Sequence, residues 1–147
     1  MHFEGTVAIN APRDKAWKFL VDPNAVSQCA PGLQSVEVIE PDQKFRAVSA
    51  VGFGSVKVTF KIDVTWLELD PPHRARMKAH GTAPGSATDI ASEMVLADGP
   101  NGSTELTWSA DVVVLGSIAS LAARLMGSVT KTLVGAFFNC AKGKIEA

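Results

Sequence analysis

The chain has 147 residues, 46% of them hydrophobic, with a formal net charge of −1 and a pI near 6.3. That length suits a single domain over residues 1–147, large enough to bury roughly two-thirds of its unfolded surface. The charge balance lacks the basic surplus that phosphate binding needs, so no nucleic-acid partner is expected. Two cysteines, Cys29 and Cys140, form no paired framework, and no secretory pattern opens the sequence, which predicts a cytoplasmic protein with reduced thiols. Apolar stretches well short of the ~20 residues that span a bilayer predict solubility.

His2 to Asn10 alternates, with Phe3, Val7 and Ile9 on one side and Glu4 and Thr6 on the other, as a half-buried strand does. Pro12 opens a short helix, with Asp14 near the positive end of its dipole and Ala16, Trp17, Leu20 and Val21 on its inner face. Asp22-Pro23 starts a second helical piece, which Ala30-Pro31-Gly32 ends. Six further strands are predicted near Leu33 to Glu40, Lys44 to Val51, Ser55 to Leu69, Arg74 to His80, Ser86 to Ala97 and Ser103 to Val114. Short connections with turn chemistry, such as Gly52-Phe53-Gly54 and Gly81 to Gly85, make neighbouring strands antiparallel. From Gly116 to the C-terminus, Ile118, Leu121, Ala122, Leu125, Val129, Leu133, Ala136 and Cys140 recur at the spacing of one helical face.

This order predicts an α+β fold, a seven-stranded antiparallel sheet curled by strand twist around a long C-terminal helix, with two short helices between strands 1 and 2. Strand parity selects the concave face. Ser49, Val58, Phe60, Ile62, Val64 and Met77 fall on it, followed by Thr88, Ile90, Ser92, Met94, Trp108 and Ala110. Leu121, Leu125, Met126 and Val129 of the helix face them. These residues are the candidate lining of a cavity, because small side chains are frequent on this face. An empty void of about 300 Å³ would cost about 7 kcal/mol, against a total stability of about 5–15 kcal/mol. Such a space would hold a ligand or water, or collapse in part; alternatively these side chains simply pack together. The inward Ser49, Thr88 and Ser92 hydroxyls need partners, whether backbone carbonyls, water or a ligand's polar end.

Catalytic and metal constellations are missing. His2, His73 and His80 follow no metal-ligand spacing. Cys29 and Cys140 read as inert thiols, and Cys140 as a small hydrophobe on the helix stripe. Asp63, Asp89, Glu93 and Asp111 share outward parity, which suits a solvated face better than paired catalytic carboxylates. The residues therefore predict a binder rather than an enzyme. The rival is a cyclase- or hydrolase-type enzyme acting on an apolar substrate, for which a bulge would have to turn Asp89 or Glu93 inward. Phe53, between two glycines, reads as an exposed tip at a cavity entrance or a membrane contact, or else as a side chain folded back onto the helix. With the basic residues Arg124, Lys131, Lys142 and Lys144 it offers a surface for peripheral membrane docking.

Several motifs carry a resemblance. Phe3-Glu4-Gly5, Ala11-Pro12-Arg13 with Trp17, and Asp22-Pro23 leading to Cys29-Ala30-Pro31-Gly32 come first. Thr104-Glu105-Leu106-Thr107-Trp108, Val114 to Ala119, Arg124-Leu125 and Phe137-Phe138 follow. On these the chain resembles, from end to end, the CoxG-like proteins, named for the carbon monoxide dehydrogenase G subunit, of the START/Bet v1-like (SRPBCC) helix-grip superfamily. One departure is Ala122-Ala123, where related sequences often carry glycine ahead of the arginine. The resemblance implies a non-enzymatic accessory protein of a molybdenum-containing CO dehydrogenase or related molybdenum hydroxylase, with no covalently bound cofactor or redox centre. It implies a hydrophobic cavity for a quinone or lipid, and recruitment of the dehydrogenase to the inner face of the cytoplasmic membrane.

Overall fold

A computed structural model describes all 147 residues, Met1–Ala147. The elements follow in the order β1 (His2–Ile9), α1 (Arg13–Leu20), α2 (Pro23–Val26), β2 (Leu33–Glu40), β3 (Lys44–Phe53), β4 (Val56–Asp70), β5 (Arg74–Ala83), β6 (Ser86–Asp98), β7 (Thr104–Gly116) and α3 (Ala119–Glu146). The seven strands form one antiparallel sheet in the order β1-β7-β6-β5-β4-β3-β2. Edge strands β1 and β2 are therefore consecutive in the chain yet lie at opposite sides of the sheet, and the α1–α2 segment crosses the distance between them.

Local chemistry accounts for these elements. Alternation along β4 leaves Phe60 and Val64 buried while Lys57, Thr59 and Lys61 stay exposed. Pro12 precedes α1 in extended geometry, Asp14 lies in its first turn and Lys18 in its last, each at the dipole end it favours. Pro23 fits the first turn of α2, and the Asp22 carboxylate caps it by accepting from the Asn24 amide at 3.0 Å.

The long helix begins later than its sequence pattern suggests. β7 continues through Gly116, whose φ of 94° turns the chain toward α3, and a Cβ there would collide with the Gly85 carbonyl oxygen. The Ser117 amide is held by that carbonyl at 2.9 Å, so Ser117 and Ile118 belong to a turn and Ala119 is the first helical residue. At 28 residues, α3 is about 42 Å long. Its far end is tied to β1 where the Asn10 amide donates to the Glu146 carboxylate at 3.0 Å. No helix is long and apolar enough to cross a membrane.

Burial divides into two clusters along α3. One surrounds Ile9, Ala16, Trp17, Leu20, Cys29, Leu96, Leu106, Ala141 and Ile145. There the buried Thr104 hydroxyl donates to the Ala11 carbonyl at 2.7 Å. The other, at the N-terminal end of the helix, is built on Phe53, Phe60 and Ala122.

Candidate functional site

The region between these clusters is the candidate site. Of the residues expected to line it, Val58, Ile62, Leu121, Leu125, Met126 and Val129 pack against the Phe53 cluster, with Phe60 inside it. Met94 and Trp108 pack against the other cluster. Ser49, Met77, Ile90, Ser92 and Ala110 belong to neither and stay half-buried. Val64 and Thr88, likewise between the clusters, are buried. The helix is thus clamped to the sheet at both ends, while the middle of the concave face keeps apolar side chains only partly covered. A close-packed core would not leave them so.

The inward hydroxyls divide. Thr88 Oγ1 donates to the Val113 carbonyl at 3.0 Å and Ser92 Oγ to the Ser109 carbonyl at 3.1 Å. Both are satisfied by the backbone of the adjacent strand. Ser49 makes no such bond and is only half-buried.

No ionisable side chain lies on the concave strand face. Uninterrupted register of β6 with both neighbours keeps Asp89 and Glu93 on the convex side. There Asp89 meets His80 Nδ1 at 2.6 Å and Glu93 accepts from Arg74 Nη2 at 3.0 Å. Asp63 is likewise outside, and its hydrogen bond from Arg46 Nε at 2.7 Å holds its carboxyl below the usual range. His2 sits at the edge between Asp111 and Glu4; its hydrogen bond to Asp111, then that to Glu4, raises its pKa. No group of three or more His, Cys, Asp or Glu side chains could hold a metal ion.

Two expectations are corrected. Phe53 is not an exposed tip: it is the last residue of β3, paired with Val56, and 3% exposed beneath the helix with Phe60 and Ala122. Its turn therefore closes that end of the grip, and its burial removes it as an entrance or membrane contact. The cysteines are not separate thiols either. Cys29 Sγ and Cys140 Sγ are bonded in a disulfide with the Cα atoms 5.4 Å apart, joining the end of the α2 segment to the last third of α3. Sequence spacing carries no sign of it, because the partners are 111 residues apart.

A hollow of about 240 Å³ lies between the start of α2 and the β2–β3 turn. Val21 to Asn24 form one wall and Val38 with Glu40 to Lys44 another. Phe45 and Trp66, with ring centroids 6.4 Å apart, form a floor that belongs to the concave face. Sequence pattern alone does not point to this hollow, although both aromatics have inward parity.

Comparison with known proteins decides the family. The sequence pattern of the carbon monoxide dehydrogenase G subunit (CoxG) matches residues 5–146. The chain belongs to the CoxG family. No curated protein matches this CoxG-family chain. Its fold matches a conserved protein from Geobacillus kaustophilus, at 24% identity and a TM-score of 0.91, over 99% of this chain and 95% of that one. It also matches the ZhuI aromatase/cyclase from Streptomyces sp. R1128, at 21% identity and a TM-score of 0.77, over 99% and 93% of the two chains. The di-domain aromatase/cyclase BexL is similar at 21% identity and a TM-score of 0.70, over 100% of this chain and 50% of that one. These likenesses establish the helix-grip fold, a seven-stranded antiparallel sheet closed by a long C-terminal helix.

Proposed function

We propose that this CoxG-family domain binds a hydrophobic quinone- or lipid-like molecule between α3 and the sheet without transforming it, as an accessory to a molybdenum-containing CO dehydrogenase-type oxidoreductase. The supporting observation is the half-covered band at Met77, Ile90 and Ala110, between two well-packed ends and free of ionisable groups. An apolar ring and chain would gain there by leaving water, at about 25 cal/mol per Å² of apolar surface covered. Ser49 would meet a carbonyl-bearing head. Membership of a family named for a carbon monoxide dehydrogenase subunit supports the reading of a redox partner, and a quinone is the apolar carrier that such a partner would use.

The cyclase reading, which the ZhuI and BexL folds suggest, needs a proton donor or acceptor beside the substrate. Asp89 and Glu93, the acids that could have served, are turned outward and paired. That arrangement favours binding over turnover. We place the protein in the cytoplasm at the inner face of the membrane, where a quinone would be collected. The exposed Val113 and Leu115 on β7 would make the membrane contact that the buried Phe53 cannot.

The test is native mass spectrometry of gently purified protein, with solvent extraction of any occupant, followed by thermal unfolding with a short-chain ubiquinone. Binding at a concentration one hundred times Kd would stabilise the fold by about 2.7 kcal/mol. Absence of both a co-purified apolar molecule and a quinone- or lipid-dependent shift would sink the reading.

A further inference from the structure

The α2 wall of the hollow is weakly held. Between Val21 and Gly32 the only buried side chain is Cys29, 6% exposed, and α2 itself has none. Backbone hydrogen bonds donated by Ala25, Val26, Ser27, Gln28, Cys29 and Ala30 all end on carbonyls within residues 22–26, so they shape the segment without fastening it to the rest. Its N-terminal end continues from α1, and its C-terminal end is fixed where the Ala50 amide donates to the Gly32 carbonyl at 2.9 Å. In the middle, the covalent bond from Cys29 to Cys140 fastens it to α3. The helix is independently held at Ala141 and Ile145, which are buried against β1 and α1 residues. Loss of the bond would therefore release the wall rather than the helix.

We propose that the Cys29–Cys140 pair is a reversible redox latch on the mouth beside α2: bonded, it holds the 22–32 segment against α3; reduced, it lets that segment swing away and uncovers the Phe45–Trp66 floor. The reductant is a dithiol of the class used in thiol–disulfide exchange. Its thiolate attacks Cys140 Sγ, which is half-buried and thus the more accessible sulfur, and Cys29 departs as thiolate and takes a proton from water. The second thiol of the reductant then displaces Cys140 from the mixed disulfide, leaving the reductant oxidised and two thiols on this chain. Two electrons and two protons are transferred, and re-oxidation by a disulfide of higher potential reverses the step. What passes the mouth rests on the ligand reading above, but the latch does not.

Hydrogen exchange followed by mass spectrometry tests the latch with no ligand present. Intact protein is compared at one pH after oxidation with diamide and after reduction with dithiothreitol. Amides of residues 25–30 should exchange at least tenfold faster in the reduced protein, at labelling times short enough that β5 and β6 stay protected in both states. Cys140→Ser, measured without reductant, should reproduce the reduced pattern. Equal exchange of 25–30 in both states, loss of protection in β5 and β6 at those same short times, or two thiols still open to iodoacetamide after diamide would each overturn the proposal. Failure of quinone binding alters none of these readouts, so the two ideas fail separately.

Discussion

A Cβ placed on Gly5 would lie 2.8 Å from Nε1 of Trp108, the residue opposite it on β7. The indole therefore lies across a backbone position that has no side chain, and this contact helps seat it against the cluster at the C-terminal end of α3. Gly5→Val would push the ring into neighbours that have little room. A loss of about 1–3 kcal/mol is expected, as for overpacked sites, read from urea unfolding together with a shift in tryptophan emission.

The uneven packing along α3 gives a mutational contrast. Leu106 is fully buried, and Leu106→Ala should cost about 2–5 kcal/mol. Ala110, four residues further along the same strand, faces the half-covered band. Ala110→Leu should be neutral to within about 0.5 kcal/mol, whereas overpacking of a filled core costs about 1–3 kcal/mol. The same substitution should weaken short-chain quinone binding about tenfold, equivalent to about 1.4 kcal/mol. Unfolding curves and a titration measured on one preparation check both halves.

The disulfide closes a separation of 111 residues. Its removal, by dithiothreitol or by the double change Cys29→Ala and Cys140→Ala, should lower stability by about 2–5 kcal/mol. Urea unfolding of the oxidised and reduced protein measures the difference directly, and the double variant should no longer respond to reductant.

Two exposed pairs set the direction of pH effects. His2 has its pKa raised above 6.5 by its hydrogen bond to Asp111 and then by that to Glu4. Its contribution to stability is complete below the unfolded value and fades as pH rises through the folded one. Asp63 is held below 3.8 by the hydrogen bond from Arg46; its contribution is complete above that value and fades as pH falls through the depressed one. In an NMR titration the His2 ring should have its midpoint above 6.5, and Asp111→Asn should lower it. Asp63→Asn should flatten the acid side of the stability profile.

Much of this arrangement is legible in the residues because sheet parity is a local property. Val58 to Trp66, Thr88 to Leu96 and Leu106 to Val112 fall on the face their alternation assigns, and Asp63, Asp89, Glu93 and Asp111 fall outside. Phe53 departs from expectation although its signal is present. Extending Phe45, Ala47, Ser49 and Val51 by two positions reaches Phe53 on the same inward side, but the flanking glycines suggest a turn that starts two residues too early. Gly116 looks like the start of α3 because glycine and serine commonly open helices. Here the Ser117 hydroxyl is directed at Ser86 Oγ, 3.2 Å away, and caps nothing. The disulfide and the hollow beside α2 depend on segments brought together only by the whole fold, which periodicity within any single segment does not encode.

The strand order has a consequence for how the molecule is made. β1 is an edge strand whose sole neighbour is β7, with His2 opposite Asp111 and Ile9 opposite Thr104. During synthesis on the ribosome the first strand therefore waits, its amides unpaired, until about a hundred later residues have emerged. Closing so long a loop carries a high entropic cost, so the docking of the N-terminal edge is expected to be a late and slow event in folding.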